Sequence, residues 1–348
     1  MAGSKEGGCA CCQRLAVKRC AGCLGAPIYD DGVHTDVFYC SVECQKADWV
    51  QHKAVCKKLQ ARKLLGRAVL LLQAIIYQIR LHASILQFES VRIKDSTVYL
   101  DGVSGNGYKN AIYLAPFPTN LALDRNTFEA VLMWGSCTEA MVYLYGFAKE
   151  FLIDLCSRVE EVNVTVISPK LQICHTIAGS SVVNPPCLSH DLYRVTLNNG
   201  EEWAVDCTGV QYGYTEPLCS WSHISQHRLS KINAVNAFGY ARQKPCHLGE
   251  IKHPIVRMVV SKKEQAQREL AMALNKKIPE LAQEYGGKLN AILEGSDAVF
   301  ERAKDSFSAQ LNDYVMAAVS KQNDHEQILR RSKEMDEFLS QVLAGFKQ

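Results

Sequence analysis

Apolar positions along the chain change period several times, and each change predicts a different element. From residue 57 to 87 they are dense at helical spacing, and "LLGRAVLLLQAIIYQI" at 64–79 is the most apolar run. Arg67, Gln73 and Gln78 interrupt it, and it falls short of the roughly 20 apolar residues of a membrane span. The pattern predicts a buried helix beginning after "KKLQARK", not a membrane anchor. Alternation then takes over: "SVRIKDSTVYLDG", a Gly-rich "SGNG" and "NAIYLAPFP" predict strands, closed by "PFP" at 116–118. Residues 125–134 and 137–156 return to helical spacing, and "EVNVTVIS" at 161–168 alternates as a strand does. From about 261 the chain becomes rich in Ala, Leu, Lys, Glu and Gln, with breaks at Pro279, at Gly286 and Gly287, and near Asn323. Three or four helices are predicted there, either a solvated tail or a surface for a partner helix.

This succession gives an α+β chain in three parts: a small cysteine-rich module over 1–60, an α+β domain led by a helix over 61–260, and a helical region over 261–348. Charged residues are 22% and the net charge is +3, too small to imply a nucleic-acid footprint. The opening "MAGSKEGG" is polar with no apolar core behind it, so a reducing, cytoplasmic or nuclear setting is expected. Fifteen cysteines in such a setting suggest metal rather than disulfides, above all because eight fall in the first 56 residues.

Eight ligands stand in a regular order: Cys9, Cys12, Cys20, Cys23, Cys40, Cys44, His52 and Cys56. The first two pairs are C-x2-C, which lets a tight knuckle aim two thiolates at one ion. Cys40 and Cys44, and again His52 and Cys56, are four apart, about one helical turn. Eight ligands suffice for two closed tetrahedral zinc sites, which leave no position for water and are therefore structural. A module this small cannot hold itself together by apolar burial alone.

The stretches "CACC", "CAGC" and "YCSVECQKADWVQHKAVC" resemble the MYND zinc finger over residues 9–56. The single histidine, seventh in ligand order, argues against a RING finger. The resemblance implies interleaved sites, one of Cys9, Cys12, Cys40 and Cys44, the other of Cys20, Cys23, His52 and Cys56, with Cys11 spare. MYND fingers are similar in docking short proline-containing peptides, and the matching positions here are Gln45 and Trp49. An amphipathic Trp packs on a proline ring and a Gln bonds to peptide backbone. Trp49 equally suits the role of a small finger's core. Over residues 1–60, eight Lys and Arg face six Asp and Glu. Seven ligand thiolates and two Zn²⁺ bring the loaded module near −1, a poor match for phosphate. A protein or peptide partner is expected, with nucleic acid and membrane disfavoured.

A second constellation lies further on. In "GSCTE", Ser136 and Glu139 fit a capping box, placing Cys137 in the first turn of a helix, where the dipole favours a thiolate. In "HDLYRVTLNNGEEWAVDCTG" two strands flank Asn198, Asn199 and Gly200. A three-residue loop with Gly200 left-handed sets Leu197 opposite Glu201 and Leu192 opposite Asp206. Tyr193, Val195, Leu197, Trp203 and Val205 then share one face, and His190, Arg194, Glu202 and Asp206 the other; a slip of one residue would scramble both. A cysteine at a helix start followed by His and Asp on neighbouring strands is the order of papain-like and transglutaminase-like cores. The segment H…W-x-x-D-x-T, carried by His190, Trp203, Asp206 and Thr208, looks like the transglutaminase-like hairpin, although Leu192 stands where an aromatic usually follows the His. The resemblance covers roughly 125–215 and implies cysteine-dependent acyl transfer or hydrolysis through Cys137, His190 and Asp206. Cys137 as a small buried hydrophobe is the plainer alternative. Cys219, His223 and His227 nearly form a metal helix but lack a fourth ligand, and the other cysteines show no ligand spacing.

Overall fold

The computed structural model describes residues 6–30, 37–95, 97–102, 112–176, 189–244 and 254–345. One helix organises them. Helix α1 (Val42–His82) starts inside the cysteine-rich module and runs unbroken into the body, whereas the sequence pattern places a helix start only after residue 63. Ser41 caps it by accepting the Cys44 amide at 3.2 Å. No proline interrupts the run, and its single glycine, Gly66, gives room to Pro27, whose Cγ would lie 3.0 Å from an added Cβ. By length and composition α1 could cross a membrane. Leu65, Leu72, Ile76 and Ile79 are nonetheless fully buried in the protein's own core.

The cysteine-rich module is built on four two-residue strands: β1 (Gly7–Gly8), β2 (Leu15–Ala16), β3 (Lys18–Arg19) and β4 (Phe38–Tyr39). β1 pairs with β2 and β3 with β4, both antiparallel. Among the described residues its interior is made of Cys9, Cys20, Cys23, Cys56, Ala16, Ala26, Tyr39 and Leu59, with Val37 and Phe38 packed against them.

Two sheets form the body. A three-stranded sheet orders β5 (Ser90–Lys94), β6 (Thr97–Asp101) and β8 (Gln172–Thr176), the last pair parallel. The expected turn "SGNG" lies outside the described residues, and of the strand expected beyond it, Ala115 forms only an isolated bridge to Ser84. An antiparallel five-stranded sheet contains β7 (Cys156–Val166), β9 (Ser189–Leu197), β10 (Glu202–Val205), β11 (Leu218–Ser220) and β12 (Leu229–Ala237). Its order is β11-β10-β9-β7-β12. The β9–β10 register is the expected one: Thr196 faces Glu202 and Tyr193 faces Val205, while Gly200 takes φ +88° at the turn.

Helices α2 (Arg125–Met133) and α3 (Cys137–Leu152) precede the large sheet; α4 (Trp221–His227) and α5 (Tyr240–Gln243) flank β12. α6 (Pro254–Gln283), α7 (Asp297–Gln322) and α8 (His325–Gly345) complete the chain. Pro279 does not break α6. A proline inside a helix costs about 3 kcal/mol. Burying Ile278, Leu281 and Ala282 around it returns about as much or more. α6 and α7 are no solvated tail, because Leu270, Leu274, Phe307, Leu311 and Val315 join the same core as α1, α3 and the Tyr193–Trp203 face of the sheet. The chain is thus α+β, with a small finger at its start and a helical C-terminal region.

The opposite face of β9 and β10 is also covered: Val162, Val164, Val166, Leu192 and Ala204 pack against Tyr214, Trp221 and Ile224. α4, the segment whose sequence resembles a metal helix, is the cover. His190 and Asp206 therefore lie in the interior.

Candidate functional sites

The knuckles of the finger are set by local backbone bonds. Gln13 N–H donates to Cys9 O at 2.8 Å, and Leu24 N–H to Cys20 O at 3.0 Å, so each C-x2-C folds back on itself. Helix α1 supplies the rest: Cys44 lies in its first turn, and His52 and Cys56 sit on one face one turn apart. Two ligand groups result, Cys9, Cys12, Cys40 and Cys44 in one, Cys20, Cys23, His52 and Cys56 in the other, with ligand atoms within 4.8 Å of one another in each. The sites interleave as expected.

A tetrahedral zinc with thiolates at about 2.3 Å sets sulfurs roughly 3.8 Å apart. Cys12 to Cys40 is 3.5 Å, Cys40 to Cys44 is 3.4 Å and Cys44 to Cys12 is 3.8 Å. In the second group Cys20 to Cys56 is 3.7 Å, and Cys23 Sγ to His52 Nε2 is 3.7 Å. Both donor sets fit a zinc ion with every position taken by protein, so two structural zinc ions per chain are the cofactors. Cys11 is exposed and belongs to neither group. Among the described residues these two groups are the only ones that gather metal ligands this closely, and Cys219, His223 and His227 do not converge.

The finger is bound to the body. Arg62 of α1 is fully buried and donates through Nε to both carboxylate oxygens of Glu201 (3.0 and 2.9 Å) and through Nη2 to Oε1 (2.6 Å). Lys58 reaches the same carboxylate at 3.2 Å, and these cations hold Glu201 below the usual carboxylate range against the opposing effect of burial. Tyr29 lays its ring 5.0 Å from Trp203 and accepts the Glu202 amide. Asp30 accepts the hydroxyls of Ser220 and Ser222.

The chain thus begins with a two-centre zinc finger of the closed, structural kind. More narrowly, residues 9–56 match the family described as MYND finger. No curated protein and no solved structure matches the chain. A MYND finger is in general a zinc-binding module for protein–protein interaction. Gln45 is half-buried and Trp49 is 41% exposed, on the outer side of α1. Trp49 is not part of the finger's buried interior; its ring lies edge-on to His52, at 6.3 Å between ring centres.

In the body, Cys137 is the first residue of α3 and His190 the second of β9. Asp206 follows β10 directly. The capping box does not form. Ser136 carries φ −103° and ψ 9°, and its hydroxyl donates backward to Met133 O at 2.7 Å. Glu139 is drawn inward to Arg80 at 3.1 Å instead of returning to the helix start. Cys137 keeps its place at the helix N-terminus without that cap.

His190 is 1% exposed and its Nε2 meets Asp206 Oδ1 at 2.8 Å. Its Nδ1 is buried without a closed hydrogen bond, and the Cys137 thiol is near enough to act on the ring. Burial disfavours the imidazolium, but the Asp206 charge and hydrogen bond, with Cys137 adding to them, win and push the pKa up to about 10. The structure therefore brings the three residues together.

Three further residues hold the cluster: Thr208, already part of the H…W-x-x-D-x-T segment, and Tyr212 and Gln211, for which the sequence carries no signal beyond their nearness to Asp206. Thr208 N–H donates to Asp206 Oδ1 at 3.3 Å, and Tyr212 sets its ring edge-on to His190 at 5.1 Å. Gln211, buried, accepts the Gly135 amide at 3.1 Å and donates to Thr208 O at 3.0 Å. It ties the turn before Cys137 to the turn after Asp206. On its outer side Cys137 opens into a cleft of about 480 Å³ bordered by Thr138, Asn163, Asp191, Asn236 and Lys244.

Proposed function

We propose that the chain is a recruitment protein whose finger docks short proline-containing peptides on the surface around Gln45 and Trp49. The exposed Trp49 carries this reading. A tryptophan left two-fifths open on a small two-zinc module offers a partner contact area that the fold does not cover. Capture of a proline-containing peptide by the zinc-loaded full chain is expected to vanish in Trp49→Ala at unchanged zinc content. Undiminished capture rejects the groove. A cytoplasmic or nuclear setting accords with the thirteen described cysteines forming no disulfide, seven of them being grouped as metal ligands.

A second reading is favoured by the meeting of Cys137, His190 and Asp206. With Asp206 on Nε2, Nδ1 is the nitrogen left for the sulfur, the place from which a histidine activates a cysteine nucleophile. In acyl transfer the thiolate attacks a carbonyl carbon and forms a C–S bond. The bond to the leaving oxygen or nitrogen breaks as the imidazolium gives that atom its proton. Water or an amine then attacks the thioester, His190 takes its proton, and the sulfur leaves as thiolate. Iodoacetamide is expected to alkylate Cys137 faster than the exposed Cys11, and Asp206→Asn to slow it. Equal rates at the two cysteines would remove the chemistry and leave the finger reading intact.

A further inference from the structure

A ring of contacts closes around the Cys137 cluster. Gly135 N–H donates to Gln211 Oε1 at 3.1 Å, and Gln211 Nε2 donates to Thr208 O at 3.0 Å. Thr208 N–H reaches Asp206 Oδ1, the oxygen that meets His190 Nε2 at 2.8 Å. The Cys137 thiol acts on the His190 ring, and Cys137 follows Gly135 in the chain after a single serine. Gln211 is the one side chain of the ring with no part in the acyl-transfer chemistry. It is buried, and both ends of its amide are used. Gly135 N–H can only donate and Thr208 O can only accept, so the amide has a single orientation.

The start of α3 needs such an anchor. The helix begins without a side-chain cap, and the turn before it rests on Gly135 at φ +67°. A glycine leaves that region at little steric cost, so the turn keeps its shape only where something ties it down. Another tie from α3 to the cluster, Thr138 Oγ1 to Asp191 Oδ2, is exposed, and water competes for it.

We propose that Gln211 is a positioning residue: it fixes the start of α3 so that the Cys137 sulfur stays within reach of His190 Nδ1. The proposal rests on the acyl-transfer reading above and adds the group that assembles its nucleophile and base. Both bonds of Gln211 go to backbone, so it acts through the geometry of two turns and carries no proton. A displacement of about 1 Å at a reacting group can cost on the order of a hundredfold in rate.

The test uses the zinc-loaded full chain and the rate at which iodoacetamide alkylates Cys137 at pH 6.5 and 9.5, timed by peptide mass spectrometry with Cys11 as the internal reference. Gln211→Met and Gln211→Asn each remove the bridge, one by deleting its polar atoms and the other by shortening its stem. At pH 6.5, where a thiol needs a base beside it, both are expected to slow Cys137 at least about tenfold. At pH 9.5, above the roughly 8.5 of a free cysteine, the loss is expected to be no more than about threefold. In an Asp206→Asn background, Gln211→Met is expected to add no further loss, because the two act on one geometry. A side chain that only stabilised the fold would lower the melting temperature and leave both rates alone. Unchanged rates in a folded variant, with Asp206→Asn still slow, overturn the positioning role and spare the acyl-transfer reading. Equal losses at the two pH values, or additive losses in the double variant, overturn it as well. Failure of both variants to fold would assign Gln211 to the fold and overturn it too. A Cys137 no faster than Cys11 in the unaltered chain overturns both readings.

Discussion

The finger and the buried cysteine cluster both bring distant cysteines and histidines together, by opposite means. In the finger the ligands converge because an ion can bind them, and little else fills the interior. In the body Cys137, His190 and Asp206 converge because two apolar layers, one on each face of the β9–β10 hairpin, fix the strands and helix that carry them. Assembly by a ligand and assembly by packing fail under different insults. Chelation is the strongest way to break the comparison. Structural zinc contributes about 10–16 kcal/mol to finger folding. Removing it is expected to unfold residues 9–56 and expose them to limited proteolysis, while the body retains its thermal transition. Metal analysis beforehand is expected to return two zinc ions per chain; an ordered, protease-resistant finger after their removal would contradict a module held together by metal.

The seam between the two regions comes next in size. Glu201→Ala would remove the carboxylate that the fully buried Arg62 grips through Nε and Nη2, and breaking a buried pair this way costs about 3–5 kcal/mol. Glu202 lies one residue away but is only half-buried, and pairs with the exposed Arg158. Its replacement by Ala is expected to cost well under 1 kcal/mol. Chemical denaturation of the two variants reads the contrast directly. Similar losses would mean that α1 joins the finger to the body without help from this pair.

The same contrast decides what the sequence can reveal. Zinc chemistry fixes ligand type and spacing, so all eight ligands are legible in the chain itself, and the family resemblance adds their interleaving. Alternation in the hairpin is equally informative: placing Tyr193, Val195, Leu197, Trp203 and Val205 inward admits one register, and that register sets His190 beside Asp206. What stays hidden depends on packing between distant segments. Ser136 and Glu139 satisfy a capping pattern, but Arg80, far away in the chain, claims Glu139. "CSWSHISQH" reads as a ligand helix, yet Trp221 and Ile224 make it a lid over the second face of the sheet. Pro279 is a break by local rule and a helix residue once its neighbours are buried. Gln211 gives no local sign of its brace between two turns.

A pH titration sharpens the packing side of the comparison. The folded pKa of His190, about 10, lies above the roughly 6.5 of an unfolded histidine. The Asp206 bond therefore contributes its full stability below pH 6.5, and the contribution is lost as pH rises through about 10. A hydrogen bond to a charged group is worth about 1.5–3 kcal/mol. Unfolding free energy is expected to fall by an amount of that order between pH 7 and 10, and Asp206→Asn to lack this part of the slope. Gly209 gives a second handle, because a Cβ there would overlap the Asp206 carboxylate. Gly209→Ala is expected to push Asp206 from the ring and flatten the slope in the same way. An unchanged slope in both variants would show that His190 does not hold its proton through Asp206.

The smallest effect tests the finest detail of the finger. Cys11 and Cys12 are adjacent, and only one of them completes the first zinc site. Cys12 Sγ lies 3.5 Å from Cys40 and 3.8 Å from Cys44, whereas Cys11 is exposed and outside the group. Cys11→Ser is therefore expected to keep two zinc ions and to shift stability by no more than about 0.5 kcal/mol, as for a surface substitution. Cys12→Ser removes a ligand from a closed site and is expected to lower the count to one. If the two variants exchanged these outcomes, the first knuckle would close one residue earlier than the C-x2-C spacing dictates. The ligand pattern would then be less legible from spacing than the geometry of the other seven ligands implies.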